Sequence, residues 1–237
     1  MYGLLPRGLD GNEPFHTRVE DMAAYYVRAI RDMQPEGPYR IVGYSFGGLV
    51  AFEVAQQLVE EHATVGLLGL FDTIEWNYME DINRSLNPSQ RLQIYKAKLG
   101  DALLSEQRLT SLQELIERKM VAVKARILRT WGHGSIESKG ASIEEVNTFA
   151  AANYKPKVYS GMLTIFRSTT RRIEEGNDEF LGWGGLAKQG VEVHHIASNH
   201  FNILQEPGVR ILSEKLKKCL HRNAEELAPS AVALTRP

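Results

Sequence analysis

Tyr39-Arg40-Ile41-Val42-Gly43-Tyr44-Ser45-Phe46-Gly47-Gly48-Leu49-Val50-Ala51-Phe52-Glu53-Val54-Ala55 changes character at Ser45. Before it, Tyr39–Gly43 is a short β-rich run; after it, Phe46, Leu49, Val50, Phe52, Val54, Ala55 and Leu58 form a segment apolar nearly all round, which predicts a buried helix. Gly43-Tyr44-Ser45-Phe46-Gly47 is a G-x-S-x-G pentapeptide, and its place between a strand and a helix is the context a nucleophile elbow requires. Such a turn strains the serine backbone, and its glycines let neighbouring chain pack closely. It would set the Ser45 hydroxyl at a helix N-terminus, where backbone N–H groups and the helix dipole favour developing negative charge.

Outward from this stretch the pattern alternates. Val19, Met22, Ala23, Tyr26, Val27 and Ile30 mark one apolar helix face that stops before Pro35 and Gly37, and Tyr2–Leu5 reads as the tail of a preceding strand. Val65–Phe71 reads as a buried strand. Strand, helix, strand, helix, strand predicts an α/β fold with a mainly parallel sheet covered on both faces. Residues 74–141 read as helical: Asn87-Pro88 starts a helix that Gly100 stops, with Leu92, Tyr95 and Leu99 on one face, and a longer helix runs from about Ser111 to Arg129, ahead of a loop at Trp131–Gly134. Ser142-Ile143-Glu144-Glu145 fits a capping box. The sheet resumes with strands at Tyr159–Arg167 and Val191–Ile196. Pro207 opens a final helix with Val209, Leu212, Leu216 and Leu220 inward, and the tail from about 225 to 237 reads as frayed. The chain reads as one domain over 1–237 with a helical insertion at about 74–141.

Composition sets the outer bounds. Hydrophobic residues at 43% and charged residues at 24% fit an ordinary globular protein, and a net charge of −1 offers no global basic field for nucleic acid. No stretch approaches the roughly 18 apolar residues of a membrane span, no secretory signal opens the chain, and a cytoplasmic location is expected. The single cysteine, Cys219, excludes an intramolecular disulfide and any cysteine-rich metal site.

A nucleophilic serine needs a base, and the base an orienting acid, in the chain order Ser, Asp or Glu, His for this architecture. Asp72 directly follows Val65–Phe71, the strand expected beside the nucleophile strand, whereas Asp101 and Asp178 stand in less suitable contexts. Of the seven histidines, His16, His62, His133 and His221 lie in helix ends or the insertion, and His194 and His195 lie within a strand. Only His200, in Ser198-Asn199-His200, sits just beyond a strand, so His200 is the expected base.

The run YRIVGYSFGGLVAFEVA (39–55) resembles the thioesterase domains that end non-ribosomal peptide and polyketide assembly lines, as do YGLLPRGLDG (2–11), LLGLFDT (67–73), and LGWGGLAKQGVEVH (181–194) followed by SNHFNIL (198–204). The resemblance implies an α/β-hydrolase fold with a helical lid, the triad Ser45, Asp72 and His200, and the Phe46 N–H as an oxyanion-hole donor. It further implies release of an acyl, peptidyl or polyketide chain from the phosphopantetheine of a carrier protein, with no cofactor or metal in the enzyme itself. The chain departs from the family in two places. Ser198 stands where glycine usually precedes Asn-His. Family members also begin with a strand and a His-Gly loop that supplies the second oxyanion donor, upstream of the segment matching 2–11. Losing one such donor costs about 2.7–4 kcal/mol. Two rivals therefore stand beside the thioesterase reading: a carboxylesterase or lipase acting on oxygen esters, and a non-catalytic fragment. The cations Lys119, Lys124, Arg126, Arg129, Arg171 and Arg172 read as solvated surface rather than a docking patch.

Overall fold

The computed structural model describes residues 2–104, 141–170 and 176–226. Among them the elements run α1 (Val19–Met33), β1 (Tyr39–Tyr44), α2 (Phe46–Glu60), β2 (Val65–Phe71), α3 (Trp76–Ser85), α4 (Pro88–Leu104), α5 (Ile143–Asn153), β3 (Leu163–Ser168), β4 (Val191–Ile196) and α6 (Gly208–Glu226). The strands form a parallel sheet in the order β1-β2-β3-β4, with Val42 opposite Gly69, Phe71 opposite Phe166, and Phe166 opposite His194. Parallel pairing brings every carboxyl end to one edge, so Ser45, Asp72, Ser168 and the loop after Ile196 share a rim.

Alternation along β2 and β3 splits the core in two. Leu68, Leu70, Leu163 and Ile165 pack with α1, α2 and α5 around fully buried Phe52 and Trp183. On the other face Leu67, Phe71, Phe166 and Ile196 meet Ile203, Leu212, Leu216 and Cys219 of the C-terminal segment. Helix α2 is apolar on nearly every side because it lies inside this sandwich, with ten of its residues buried from Gly48 to Leu58. The Ser142–Glu145 capping box forms as expected, with both reciprocal bonds at 3.0 and 3.2 Å.

Several expectations change. Residues 2–5 form no strand, and Tyr2, Leu4 and Leu5 are exposed. Beside them β1 is the terminal strand of the sheet, and a cavity of 830 Å³ runs along it between Tyr26 and Ile30 of α1 and Leu216 and Leu220 of α6. Strand β3 starts at Leu163 rather than Tyr159, which makes only an isolated bridge to Ala187. Asn87 caps α4 through its Oδ1, which accepts from Gln90 N at 2.9 Å, but Gly100 does not stop the helix, which continues to Leu104. A Cβ at Gly100 would meet open space, so nothing in its surroundings demands glycine geometry there. Leu92 and Tyr95 of α4 are exposed, and Leu99 is half-buried. The tail expected to fray from about 225 is still helical at 225–226, in α6, and its remainder, with the expected Ser111–Arg129 helix, the expected loop at 131–134 and the cations Lys119, Lys124, Arg126, Arg129, Arg171 and Arg172, lies outside the described residues.

Two glycines of the turn differ sharply in what surrounds them. A Cβ at Gly43 would strike the Gly47 backbone carbonyl, whereas one at Gly47 would meet nothing. Gly43→Ala therefore lowers Tm by more than about 5 °C, since backbone cannot step aside cheaply. Gly47→Ala leaves Tm unchanged or raises it by a few degrees, because alanine favours a helix by about 1 kcal/mol. Thermal melts of the two variants check the contrast.

Candidate active site

Ser45 joins β1 to α2 with φ 52° and ψ −123°, a conformation an L-residue adopts only when its surroundings impose it. Those surroundings are visible. The Ser45 N–H donates to the Phe71 carbonyl at 3.0 Å, continuing the β1–β2 ladder one residue past the strand. The Thr73 hydroxyl donates to the Ser45 carbonyl at 3.0 Å. Gly48, one turn into α2, lies so close to Thr73 that any Cβ would collide with that side chain. The Ser45 side chain makes no capping bond to α2, and Phe46 is the first helical residue, so its N–H is among those with no acceptor inside the helix.

Asp72 follows β2 directly, also in the left-handed region at φ 48°, which aspartate tolerates better than most residues. It is only 5% exposed, yet fully engaged. Its Oδ2 accepts from His200 Nδ1 at 3.0 Å and from the Ser168 hydroxyl at 2.8 Å, while Oδ1 accepts from the Ser168 N–H at 2.9 Å. A carboxylate can only accept, so the ring proton sits on Nδ1 and leaves Nε2 as the free lone pair. Burial works to raise the Asp72 pKa, but the bonds from His200 and from the Ser168 backbone and hydroxyl together outweigh it, and the net shift is downward.

His200 is held from a second side. The Tyr44 hydroxyl donates to the His200 carbonyl at 2.8 Å, and the two rings stack with centroids 5.2 Å apart. Tyr44 immediately precedes Ser45, so this contact brings the imidazole beside the turn. Phe201 closes the imidazole edge-on. Among the described residues no hydrogen bond joins the Ser45 hydroxyl to His200, an arrangement common before a substrate draws the groups together.

The other candidates are elsewhere. His16 lies beside Arg7, and His62 ends α2. His194 faces Cys219, while His195 faces Glu179 and His221 is exposed. Asp178 accepts from the Gly182 N–H in a turn, Asp101 lies in α4, and His133 is outside the described residues. Ser198, in the position where a glycine is usual, donates its hydroxyl to the neighbouring Asn199 carbonyl, while its backbone N–H bonds the Ile196 carbonyl and its carbonyl accepts from the Thr170 N–H. Sequence reasoning missed Ser168 and Tyr44. Ser168 could have been sought as the polar residue closing the next parallel strand; Tyr44 carries no signal until the His200 loop is placed over it.

A strand–serine–helix turn with an Asp–His pair at the carboxyl rim of a parallel sheet is the arrangement expected on an α/β-hydrolase fold. Residues 2–219 match the family model of the thioesterase domain, and the chain belongs to that family. Malpibaldin synthetase of Mortierella alpina is 26% identical over 94% of the chain, and polyketide synthase PksR of Bacillus subtilis is 27% identical over 87%. Atromentin synthetase invA5 of Paxillus involutus reaches 44% over a shorter stretch, 30% of the chain. The chain spans 4%, 9% and 8% of the lengths of these three relatives, which are far larger proteins. The NocB thioesterase domain superposes with a TM-score of 0.58 at 22% identity, over 92% of this chain and 81% of that one. RedJ, a Streptomyces coelicolor thioesterase, superposes with a TM-score of 0.59 at 19% identity, over 92% and 79%. These likenesses establish the α/β-hydrolase fold.

The Asp72 network generates a pH signature. A carboxylate whose folded pKa lies below its unfolded value contributes stability that is present above the unfolded value, about 3.9, and lost as pH falls through the folded one. Urea unfolding at a series of pH values below about 5 should show that loss in the wild type. Asp72→Asn should flatten that part of the slope, and Ser168→Ala should shift it toward higher pH by weakening the bonds that hold the charge.

Proposed function

We propose that the protein is a serine thioesterase that releases an acyl, peptidyl or polyketide chain from the phosphopantetheine arm of a carrier protein. The observation that carries this reading is the His200–Asp72 pair, with His200 bonded and stacked to Tyr44, the residue before Ser45, at the rim of a thioesterase-family fold.

The geometry supports the following sequence. His200 Nε2 takes the Ser45 Oγ proton as Oγ attacks the thioester carbonyl carbon. Asp72 keeps the Nδ1–H tautomer and stabilises the imidazolium that forms. The Phe46 N–H, uncommitted at the head of α2, donates to the oxyanion. Collapse of the tetrahedral intermediate breaks the C–S bond, and the leaving thiolate takes the proton from His200. The acyl-Ser45 ester is then resolved by water, or by a nucleophile of the acyl chain itself, with His200 again as base. Each proton is accounted for by these side chains, so the reading calls for no cofactor in the enzyme. Helices α3 and α4 begin the segment proposed as a lid over the acyl chain. Malpibaldin synthetase and polyketide synthase PksR are large synthases that the chain matches over a small part of their length, which supports a carrier-borne substrate.

Intact mass after exposure to a fluorophosphonate tests the reading without a choice of acyl chain. A single adduct is expected on the wild type and none on Ser45→Ala. His200→Ala should slow labelling by at least about 10³-fold, because the base and nucleophile act as one unit. Matched thioester and oxoester substrates should show the thioester turned over faster. No adduct on folded wild-type protein would overturn the reading in favour of a non-catalytic domain, and preference for the oxoester would reassign it as an esterase.

A further inference from the structure

A second cluster of chemistry-bearing side chains lies between β4 and α6. Glu192 and His194 are two residues apart on β4, so they project to the same side, towards α6. There Cys219 is 2% exposed among Leu212, Leu216 and Phe166. His194 Nε2 stands 3.2 Å from Glu192 Oε1 and 3.3 Å from Cys219 Sγ, and the three ligand atoms lie within 4.8 Å of one another. Phe166 stacks on the imidazole at 5.2 Å and fixes its plane. A single ring nitrogen therefore faces a carboxylate oxygen and a sulfur at once, and it has only one proton or one lone pair to offer them. Tetrahedral coordination, with metal–nitrogen and metal–oxygen bonds near 2.0 Å and a metal–sulfur bond near 2.3 Å, separates ligand atoms by about 3.3–3.5 Å. The observed spacings at His194 are close to that.

We propose that Glu192, His194 and Cys219 form a binding site for one divalent cation of the zinc type. The donor set of thiolate, imidazole and carboxylate favours zinc over magnesium or calcium, which prefer all-oxygen sites. The fourth position goes to water on the solvent side, where His194 and Glu192 are partly exposed. Arg222 already grips both oxygens of Glu192, with Nη1 3.1 Å from Oε1. On binding it keeps Oε2, orients the carboxylate and cedes Oε1 to the ion. Arg222 and Lys215 are the cations whose charge reaches the cluster and opposes the metal. The ion would be structural rather than catalytic: it would pin α6 to β4 and so bracket the intervening loop that carries His200.

The test uses the tag-free chain of residues 1–237 and Zn²⁺ alone. Equilibrium dialysis should give one bound equivalent, and Co²⁺ in its place should show a thiolate charge-transfer band. Loss of even an outer-shell partner lowers metal affinity about 10–100-fold, so Cys219→Ser, His194→Gln and Glu192→Gln should each lower it by at least tenfold. Cys219→Ser should also abolish the Co²⁺ band. Zn²⁺ at 100 times its Kd should raise the wild-type Tm by roughly 5–10 °C and leave Cys219→Ser unmoved. Glu192→Gln removes a ligand from the solvent side without opening the core, so the test stands even if a Cys219 variant folds poorly. Sub-stoichiometric binding by the wild type, or affinity unchanged in both Cys219→Ser and Glu192→Gln, would overturn the proposal. Fluorophosphonate labelling of Ser45 is independent of either result.

Discussion

At Ser45 the chain leaves a strand and begins a helix within a single residue, and the positive φ this requires has to be held from outside. Two bonds do so: the Ser45 N–H to the Phe71 carbonyl, and the Thr73 hydroxyl to the Ser45 carbonyl. Both partners flank Asp72. The strain of the turn is therefore resisted by the same three residues that place the carboxylate, so the Ser45 turn and Asp72 cannot move independently. Gly43 and Gly48 follow from this constraint. The first must let the Gly47 carbonyl pass, and the second must let Thr73 approach. Backbone strain of this kind costs on the order of 1–3 kcal/mol and persists only where packing over-determines it. Buried α2, apolar on nearly every side, supplies that packing.

From Asp72 the network extends across the sheet. Its charge is taken out of water, which is unfavourable, and three donors from Ser168 and His200 offset that cost strongly enough to leave the acid more readily ionised than usual. Two of these donors belong to Ser168, at the end of the neighbouring strand, so the sheet's own register delivers them. The third belongs to a loop, and loops need anchoring. Tyr44 provides it by donating to the His200 carbonyl and stacking on the ring. The contacts form a circuit from Ser45 through β2 to Asp72, on to His200, and back through Tyr44 to the residue before Ser45.

Much of this circuit was legible in the sequence because its main members sit at strand ends, and strand ends in a parallel sheet are recognisable from apolar runs. Val65–Phe71 and Val191–Ile196 were read with their observed bounds, and Asp72 and His200 follow such runs. The residues missed depend on register or on a distant loop. Ser168 matters because Phe166 pairs with Phe71, which no local pattern specifies. Tyr2–Leu5 has the apolar content of a strand yet is not paired into the sheet, and a strand needs a partner as well as a propensity. Gly100 was misread because glycine in a helix costs only about 1 kcal/mol, which the rest of α4 can outweigh.

The segment between β3 and β4 then explains how the acid loop keeps its shape on the side away from His200. Trp183, wholly buried, donates its indole N–H to the Thr73 carbonyl at 2.9 Å, and the Glu75 N–H donates to the Leu181 carbonyl at 2.9 Å. Arg167, at the end of β3 and 1% exposed, binds the Asp178 and Glu179 carbonyls and so ties that segment to the strand beside Asp72. Gly182, at φ 88°, comes so close to Tyr78 and Glu75 that a side chain would displace the start of α3. A buried guanidinium is costly unless its donors are used, and here Nη1 donates to both carbonyls. The start of α3 is therefore fixed by contacts from the same segment that holds the Thr73 carbonyl.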